Sequence, residues 1–159
     1  MDAYPHIDYQ HSIDTLPMFE DDYADLIYAS HVMAYFDYVE IIAVLEEWRR
    51  VLKPGGVLRL STPDFEKIIQ VYNDILDLSL MFGFIYGRYE TNNGFVYYRM
   101  IYDYTTLKKT LIKAGFKSVH RYDWRKTVHK DYDDYSQAYL PHMDKENGVM
   151  MSLNVEAVK

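Results

Sequence analysis

Residues 45–60 read LEEWRRVLKPGGVLRL, and this stretch decides the fold. Ile41, Leu45, Trp48 and Leu52 share one helical face, while Glu46 and Arg50 stand one turn apart on the opposite side, a spacing close to the helical period. The stretch therefore predicts an amphipathic helix lying against a sheet. Lys53-Pro54-Gly55-Gly56 ends it, because proline fixes one turn position and a glycine supplies a positive φ after it. The chain is then redirected into Val57-Leu58-Arg59-Leu60-Ser61, a buried-looking strand, so the whole stretch is the helix-to-strand corner of an α/β unit.

Working outward, residues 25–29 (DLIYA) predict a short buried strand ahead of the helix. Asp37 followed by Glu40 forms a capping-box signal for the helix start. After the second strand, Pro63-Asp64 opens a helix whose apolar stripe is Phe65, Ile68, Ile69, Tyr72, Ile75 and Leu76. Residues 83–94 (GFIYGRYETNNG) read as a loop or lid insertion, and residues 105–114 as a helix closed by Gly115. A strand is expected over 116–124, and then a long tyrosine-rich connection over 125–148. Val149, Met151, Leu153, Val155 and Ala157 alternate with Met150, Ser152, Asn154 and Glu156, the period of two that one buried face imposes. A short strand is expected around residues 7–12, with a loop at 16–22. With no repeat and no interdomain linker, residues 1–159 make one domain.

Composition narrows the function classes. The chain has 17 tyrosines, seven phenylalanines and two tryptophans, too many aromatic groups for a disordered segment. A net charge of -7 argues against broad binding to nucleic-acid phosphates, whose affinity comes from lysine and arginine, although Arg121, Arg125, Lys126 and Lys130 form a local basic cluster. Without cysteine there is no disulfide framework, no thiol nucleophile and no cysteine-ligated zinc. No charged-then-apolar leader and no long apolar run is present, so the expectation is a soluble, cytoplasmic protein with no membrane partner.

The segments RVLKPGGVLRLSTPDF (50–65), DLIYASHVMAYF (25–36) and LIKAGFKSV (111–119) together resemble the S-adenosylmethionine-dependent methyltransferases of the Rossmann-like class. In that family they correspond to the fifth strand, the fourth strand, and the last helix entering the sixth strand. The likeness runs from roughly residue 8 to residue 159. It implies an α/β fold with sheet order 3-2-1-4-5-7-6, the last strand antiparallel, and S-adenosylmethionine as cofactor. The family's glycine-rich GxGxG turn and its second strand have no counterpart among the seven glycines, and Met1-Asp2-Ala3-Tyr4-Pro5-His6 stands where the second strand would be ending. The reading is thus an incomplete Rossmann-like sheet, truncated at its N-terminus. Its strand at 25–29 would then have an uncovered edge, to be closed by the N-terminal segment or by a second copy in a homodimer.

Ligands in open α/β sheets collect outside the carboxyl ends of the strands, which places Ser30, His31, Thr62, Pro63 and Asp64 in the favoured zone. His31 is the candidate catalytic base and cofactor wall; the competing use is a partly buried histidine hydrogen-bonded at a helix mouth. The family often carries a second histidine four residues on, where this chain has Tyr35. By resemblance, the segment HSIDTLP offers Ser12 or Asp14 to the adenine amine, and Ser30 and His31 complete the cofactor set. Asp64 has two readings, substrate binding or the N-cap of the following helix. The loop HKDYDDYSQAYLPH (129–142) matches neither a calcium loop nor the HExxH zinc helix, so no metal is expected. Tyr135 and Tyr139 are instead candidates for a stacking face over a small-molecule substrate.

The function these readings imply is methyl transfer from S-adenosylmethionine to a small acceptor, a saccharide or other hydroxyl compound. The rival is a noncatalytic binding or dimerisation module that keeps the fold without the cofactor. A third reading makes the chain a fragment whose translated start lies too late.

Overall fold

The computed structural model describes residues 8–9, 11–91 and 94–159. The short strand expected around 7–12 falls partly outside these residues, and the reading of Met1 to His6 wholly so. Four strands form the main sheet: β1 (Ala24–Ser30), β2 (Leu52–Pro63), β8 (Ser152–Val158) and β5 (Lys117–Arg121), in the order β1-β2-β8-β5. β1 and β2 are parallel, joined through helix α1 (Glu40–Val51), and β8 is antiparallel to both of its neighbours. The antiparallel final strand between the fifth and sixth matches the expected methyltransferase order.

The corner at residues 53–56 sits inside β2 as an insertion. Leu52 pairs with Ala24 and Val57 with Leu26, so the intervening residues bulge out of the ladder. Gly56 is required there, since a Cβ would lie 2.9 Å from the Lys53 carbonyl oxygen. The α1 capping box closes as its spacing predicts. Asp37 Oδ1 accepts from the Glu40 amide at 2.9 Å, and Glu40 Oε2 accepts from the Asp37 amide at 3.3 Å. At the other end of the helix, Lys159 Nζ donates to the carbonyls of Arg50 (3.2 Å) and Leu52 (2.6 Å) and pairs with Asp22 at 2.6 Å. This cation answers the unpaired carbonyls and the negative end of the helix dipole.

One sheet face is apolar. Ile27, Leu58 and Ala157 form one cross-strand row and Ala29, Leu60 and Val155 the next. They pack with Ile41, Val44, Leu45 and Trp48 of α1 and with Leu107 and Leu111 of α4 (Tyr104–Lys113) in a single core. The other face is polar along the rows Tyr28-Arg59-Glu156-His120 and Ser30-Ser61-Asn154. It is covered by residues 122–148, a connection that carries a 3₁₀ turn at Tyr135–Gln137 and strand β6 (Tyr139–Leu140), which pairs with β7 (Val149–Met150) just beyond it.

Three expectations need correction. The strand expected over 149–157 is two pieces, with β7 turning away to pair with β6. Residues 83–94 are not simply a loop: they span α3 (Phe82–Tyr86), β3 (Tyr89–Thr91) and the start of β4 (Gly94–Val96), and β3 and β4 pair antiparallel. The apolar stripe of α2 (Phe65–Ile75) is mostly outside the core, with Ile69, Tyr72, Ile75 and Leu76 exposed and only Ile68 and Val71 buried. α2 lies beyond the sheet end over a small second cluster with Met81 and Met151, which offers a narrow line of contact and no broad face.

Candidate functional site

β1 ends at Ser30, and His31 then takes a left-handed backbone conformation with φ of 54°. That conformation is uncommon outside glycine, asparagine and aspartate and costs on the order of 1 kcal/mol. It turns the chain so that the His31 amide bonds to the Ser61 carbonyl at 2.9 Å and the imidazole enters the end of the sheet. His31 as a whole is 5% exposed. Nε2 lies 3.1 Å from Ser152 Oγ and Nδ1 lies 3.4 Å from the Tyr98 hydroxyl. Burial pushes the His31 pKa down to about 3, against smaller opposing pulls from Asp134 and from the Tyr135 carbonyl. The ring is therefore neutral at physiological pH, acting as a hydrogen-bond donor at one nitrogen and an acceptor at the other.

His31 forms part of the wall of a cavity of about 770 Å³ at the carboxyl end of β1 and β2. Tyr35, Tyr86, Tyr89, Tyr97, Tyr98, Tyr135 and Tyr139 supply aromatic walls, and Arg88, Asp133, Asp134 and His142 supply charge or polarity. Tyr135 lies over the His31 ring with centroids 5.5 Å apart, and Tyr35 meets Tyr98 edge-on at 4.8 Å. Burial raises the Tyr98 and Tyr35 hydroxyls above the ordinary phenol range, so both stay protonated. The seat of Tyr98 depends on Gly87, where φ is +48° and an added Cβ would fall 2.2 Å from the Tyr98 ring.

Asp134 ties the covering connection to the sheet. Oδ2 accepts from the Tyr28 hydroxyl at 2.6 Å, and Oδ1 accepts from Ser30 Oγ at 3.2 Å and from the Ser136 amide at 2.7 Å. Desolvation, reinforced by the bond to Asp134, pushes the Tyr28 pKa up to about 12. Farther along this face Arg59 pairs with Glu156 at 2.6 Å, its Nη1 lies 3.1 Å from His129 Nδ1, and the His129 ring stacks on Tyr28 at 4.0 Å.

The structure brings three of the sequence candidates, His31, Tyr135 and Tyr139, into one cavity. Ser30 stands immediately behind it, with its hydroxyl bonded to Asp134 and Ser61. Asp64 does not line the cavity: Oδ1 caps α2 through the Glu66 amide at 3.0 Å and Oδ2 meets Arg121 at 3.1 Å. Ser12 and Asp14 are exposed on the loop beside α1 and do not line it either. The intervening Ile13 carbonyl accepts from Trp48 Nε1 at 2.7 Å, which holds that loop against the helix. Sequence reasoning missed Tyr98, Ser152 and Asn154. Tyr98 follows the glycine-punctuated segment that marked a lid, and the alternation of the last strand assigned Ser152 and Asn154 to a solvent face.

Residues 3–60 match the family model described as a methyltransferase domain. No curated protein matches the chain by sequence. Among solved structures, a possible exported protein from Bordetella parapertussis is 16% identical with a TM-score of 0.56, over 94% of this chain and 42% of that one. A SAM-dependent methyltransferase from Archaeoglobus fulgidus is 14% identical with a TM-score of 0.53, over 94% of this chain and 66% of that one. A SAM-dependent methyltransferase from Thermotoga maritima, described as a possible histamine N-methyltransferase, is 15% identical with a TM-score of 0.51, over 94% and 62%. The chain thus spans between 42% and 66% of the length of these three structures. It has the fold of the Rossmann-like S-adenosylmethionine-dependent methyltransferases and resembles their methyltransferase domain in sequence over residues 3–60.

That fold family implies S-adenosylmethionine, and the described residues fit it poorly. The close backbone approach at Gly87 is filled by the Tyr98 ring. The Ser30 hydroxyl is engaged with Asp134, and Ser12 and Asp14 lie outside the cavity. The described residues offer one wall of a nucleoside-cofactor site and none of the backbone cradle that would hold its amino-acid tail.

Proposed function

We propose that this chain forms the acceptor side of a methyltransferase-family protein. The reaction class is methyl transfer from S-adenosylmethionine, and the acceptor is a small neutral hydroxyl compound, a saccharide being the best fit. One observation carries this reading: a neutral imidazole on a left-handed backbone stands at the carboxyl end of the sheet, in a tyrosine-walled cavity of about 770 Å³. Tyrosine faces suit the apolar faces of a sugar ring, and their hydroxyls suit its rim. His31 accepts a hydrogen bond from the bound hydroxyl. Its depressed basicity makes it an orienting acceptor more than a strong base. Tyr135 and Tyr139 form the substrate wall. Whatever grips the donor's amino-acid tail comes from outside the described residues.

The noncatalytic reading is favoured by that same poor fit to the donor. Calorimetric titration of the protein with S-adenosylhomocysteine separates the two. Micromolar affinity supports the enzyme, and absent or millimolar binding leaves a ligand-binding module. For the acceptor, titration with methyl glucosides should move the aromatic NMR signals of Tyr98 and Tyr135 in the native protein and not in His31→Asn. Unmoved signals with a broad panel of glycosides would retire the saccharide. The proposal extends to a homodimer, supported by the outer edge of β1, which pairs with no strand among the described residues. Light scattering across a concentration series tests it, and a monomer at all concentrations rejects it.

A further inference from the structure

The hydrogen bonds behind His31 form a chain with a defined direction. Asn154 Nδ2 lies 2.8 Å from the Ser136 carbonyl, which can only accept, so the amide nitrogen faces Ser136 and Oδ1 faces the other way. Oδ1 lies 2.9 Å from Ser152 Oγ and cannot donate, so the serine hydrogen points at Asn154. Ser152 Oγ, its hydrogen committed, can only accept from His31 Nε2 at 3.1 Å. This chain draws the proton of the neutral ring to Nε2 and turns the Nδ1 lone pair toward Tyr98 and the cavity, while the Tyr135 carbonyl, a second group that can only accept, also faces the ring. Ser136, Ser152, Asn154 and His31 are each 5% exposed or less, so bulk water does not offer substitute partners.

We propose that Ser152 and Asn154 are positioning residues that lock His31 in the Nε2–H tautomer and thereby keep a hydrogen-bond acceptor turned to the cavity. Strand order makes this possible. β8 is separated from β1 by β2, and the left-handed turn at His31 carries its ring past the end of β2 to reach Ser152. A bound hydroxyl or amine N–H replaces the long contact from Tyr98 at Nδ1, whereas a ligand offering only acceptors meets a lone pair. The use made of that lone pair rests on the acceptor-side reading above; the tautomer itself does not.

The test is long-range ¹H–¹⁵N correlation on the ¹⁵N-histidine-labelled full chain at neutral pH, with His31→Asn identifying the His31 signals among the six histidines. A pyridine-type Nδ1 and a pyrrole-type Nε2 are expected, with the Nε2–H form in about tenfold excess or more, the worth of roughly one hydrogen bond. Ser152→Ala should collapse the excess toward a mixture. Asn154→Leu should go further, because Ser152 is then free to donate to Nε2, and the ring shifts toward Nδ1–H. Ser152→Thr keeps the hydroxyl between Asn154 and His31 and should retain the native tautomer, which guards against misreading a folding defect. An Nδ1–H ring in the native chain, or an unchanged tautomer in folded Ser152→Ala, overturns the proposal. Failure of S-adenosylhomocysteine or glycosides to bind leaves this result untouched and tells only against the functional reading.

Discussion

The two faces of the sheet solve the same problem by different chemistry. Leu58, Leu60, Val155 and Ala157 bury one face under α1 and α4, whereas Arg59, Ser61, Asn154 and Glu156 bury much of the other under a connection rich in hydrogen-bonding groups. An α/β sheet is usually apolar on both faces because helices cover both. Here the second cover is residues 122–148, and it is held by bonds such as Tyr28 to Asp134 (2.6 Å) and Asn154 to Ser136 (2.8 Å). The apolar face supplies nondirectional stability, while the polar face fixes orientation and delivers an aimed histidine at its end. Buried polarity of this kind stabilises only while every partner is present.

Substitutions on β2 and at its β8 partner Glu156 sharpen the contrast. Leu60→Ala, at a fully buried position, should lower unfolding free energy by about 3 kcal/mol in a urea titration, through lost transfer energy and a cavity. Glu156→Gln should come close, at about 2 kcal/mol, because Arg59 would be left charged and mostly buried. Replacing both partners, as Arg59→Met with Glu156→Leu, should recover most of that loss. If the double variant is as unstable as the single one, the polar face is not interchangeable with an apolar one.

Acidity should act on the polar face first. His31 and His129 are both held below the ordinary histidine value, mainly by burial, and His129 further by Arg59. The unfolded chain therefore takes up these protons first. The stability they carry is whole above about pH 6.5 and is lost as pH falls, for His31 down to about 3. Between pH 6.5 and 5 the loss from His31 should be about 2 kcal/mol, and His31→Asn should remove it. Asparagine is chosen because it tolerates the left-handed backbone. Glu47, held down to about 2 mainly by its bond to Arg50, follows the carboxylate rule: its contribution is present above about pH 4.5 and fades below it, outside this window. A flat stability profile between pH 5 and 7 would sink the assignment of neutral buried histidines.

Smaller effects follow on the same strand. Ser61→Ala removes the donor to Ser30 Oγ at 3.0 Å and should cost about 1 kcal/mol, a third of the Leu60 effect one residue away.

Much of the apolar face was legible in the residue pattern. The positions of α1, the corner at 53–56 and the odd-numbered residues from Met151 to Ala157 follow from spacing alone. The polar face was not, because a period of two says which residues share a side and not whether that side meets water. Ser152 and Asn154 look solvated in sequence and are buried in the fold. Within the site, His31, Tyr135 and Tyr139 could be found because strand ends and tyrosine-rich connections point to ligands. Tyr98 could not, since its place depends on a hairpin and on the missing side chain of Gly87. Ser12 and Asp14 were projected from a family pattern that presupposes a cofactor cradle.

Lys159 has a practical consequence. One ammonium group joins the last turn of α1 to Asp22, and its backbone amide bonds to Gly56 at 3.0 Å. Replacing this one side chain, as in Lys159→Ala, would unclasp the helix end from the Asp22 loop. That variant should melt below the native protein in a thermal scan, although no residue of the cavity has changed.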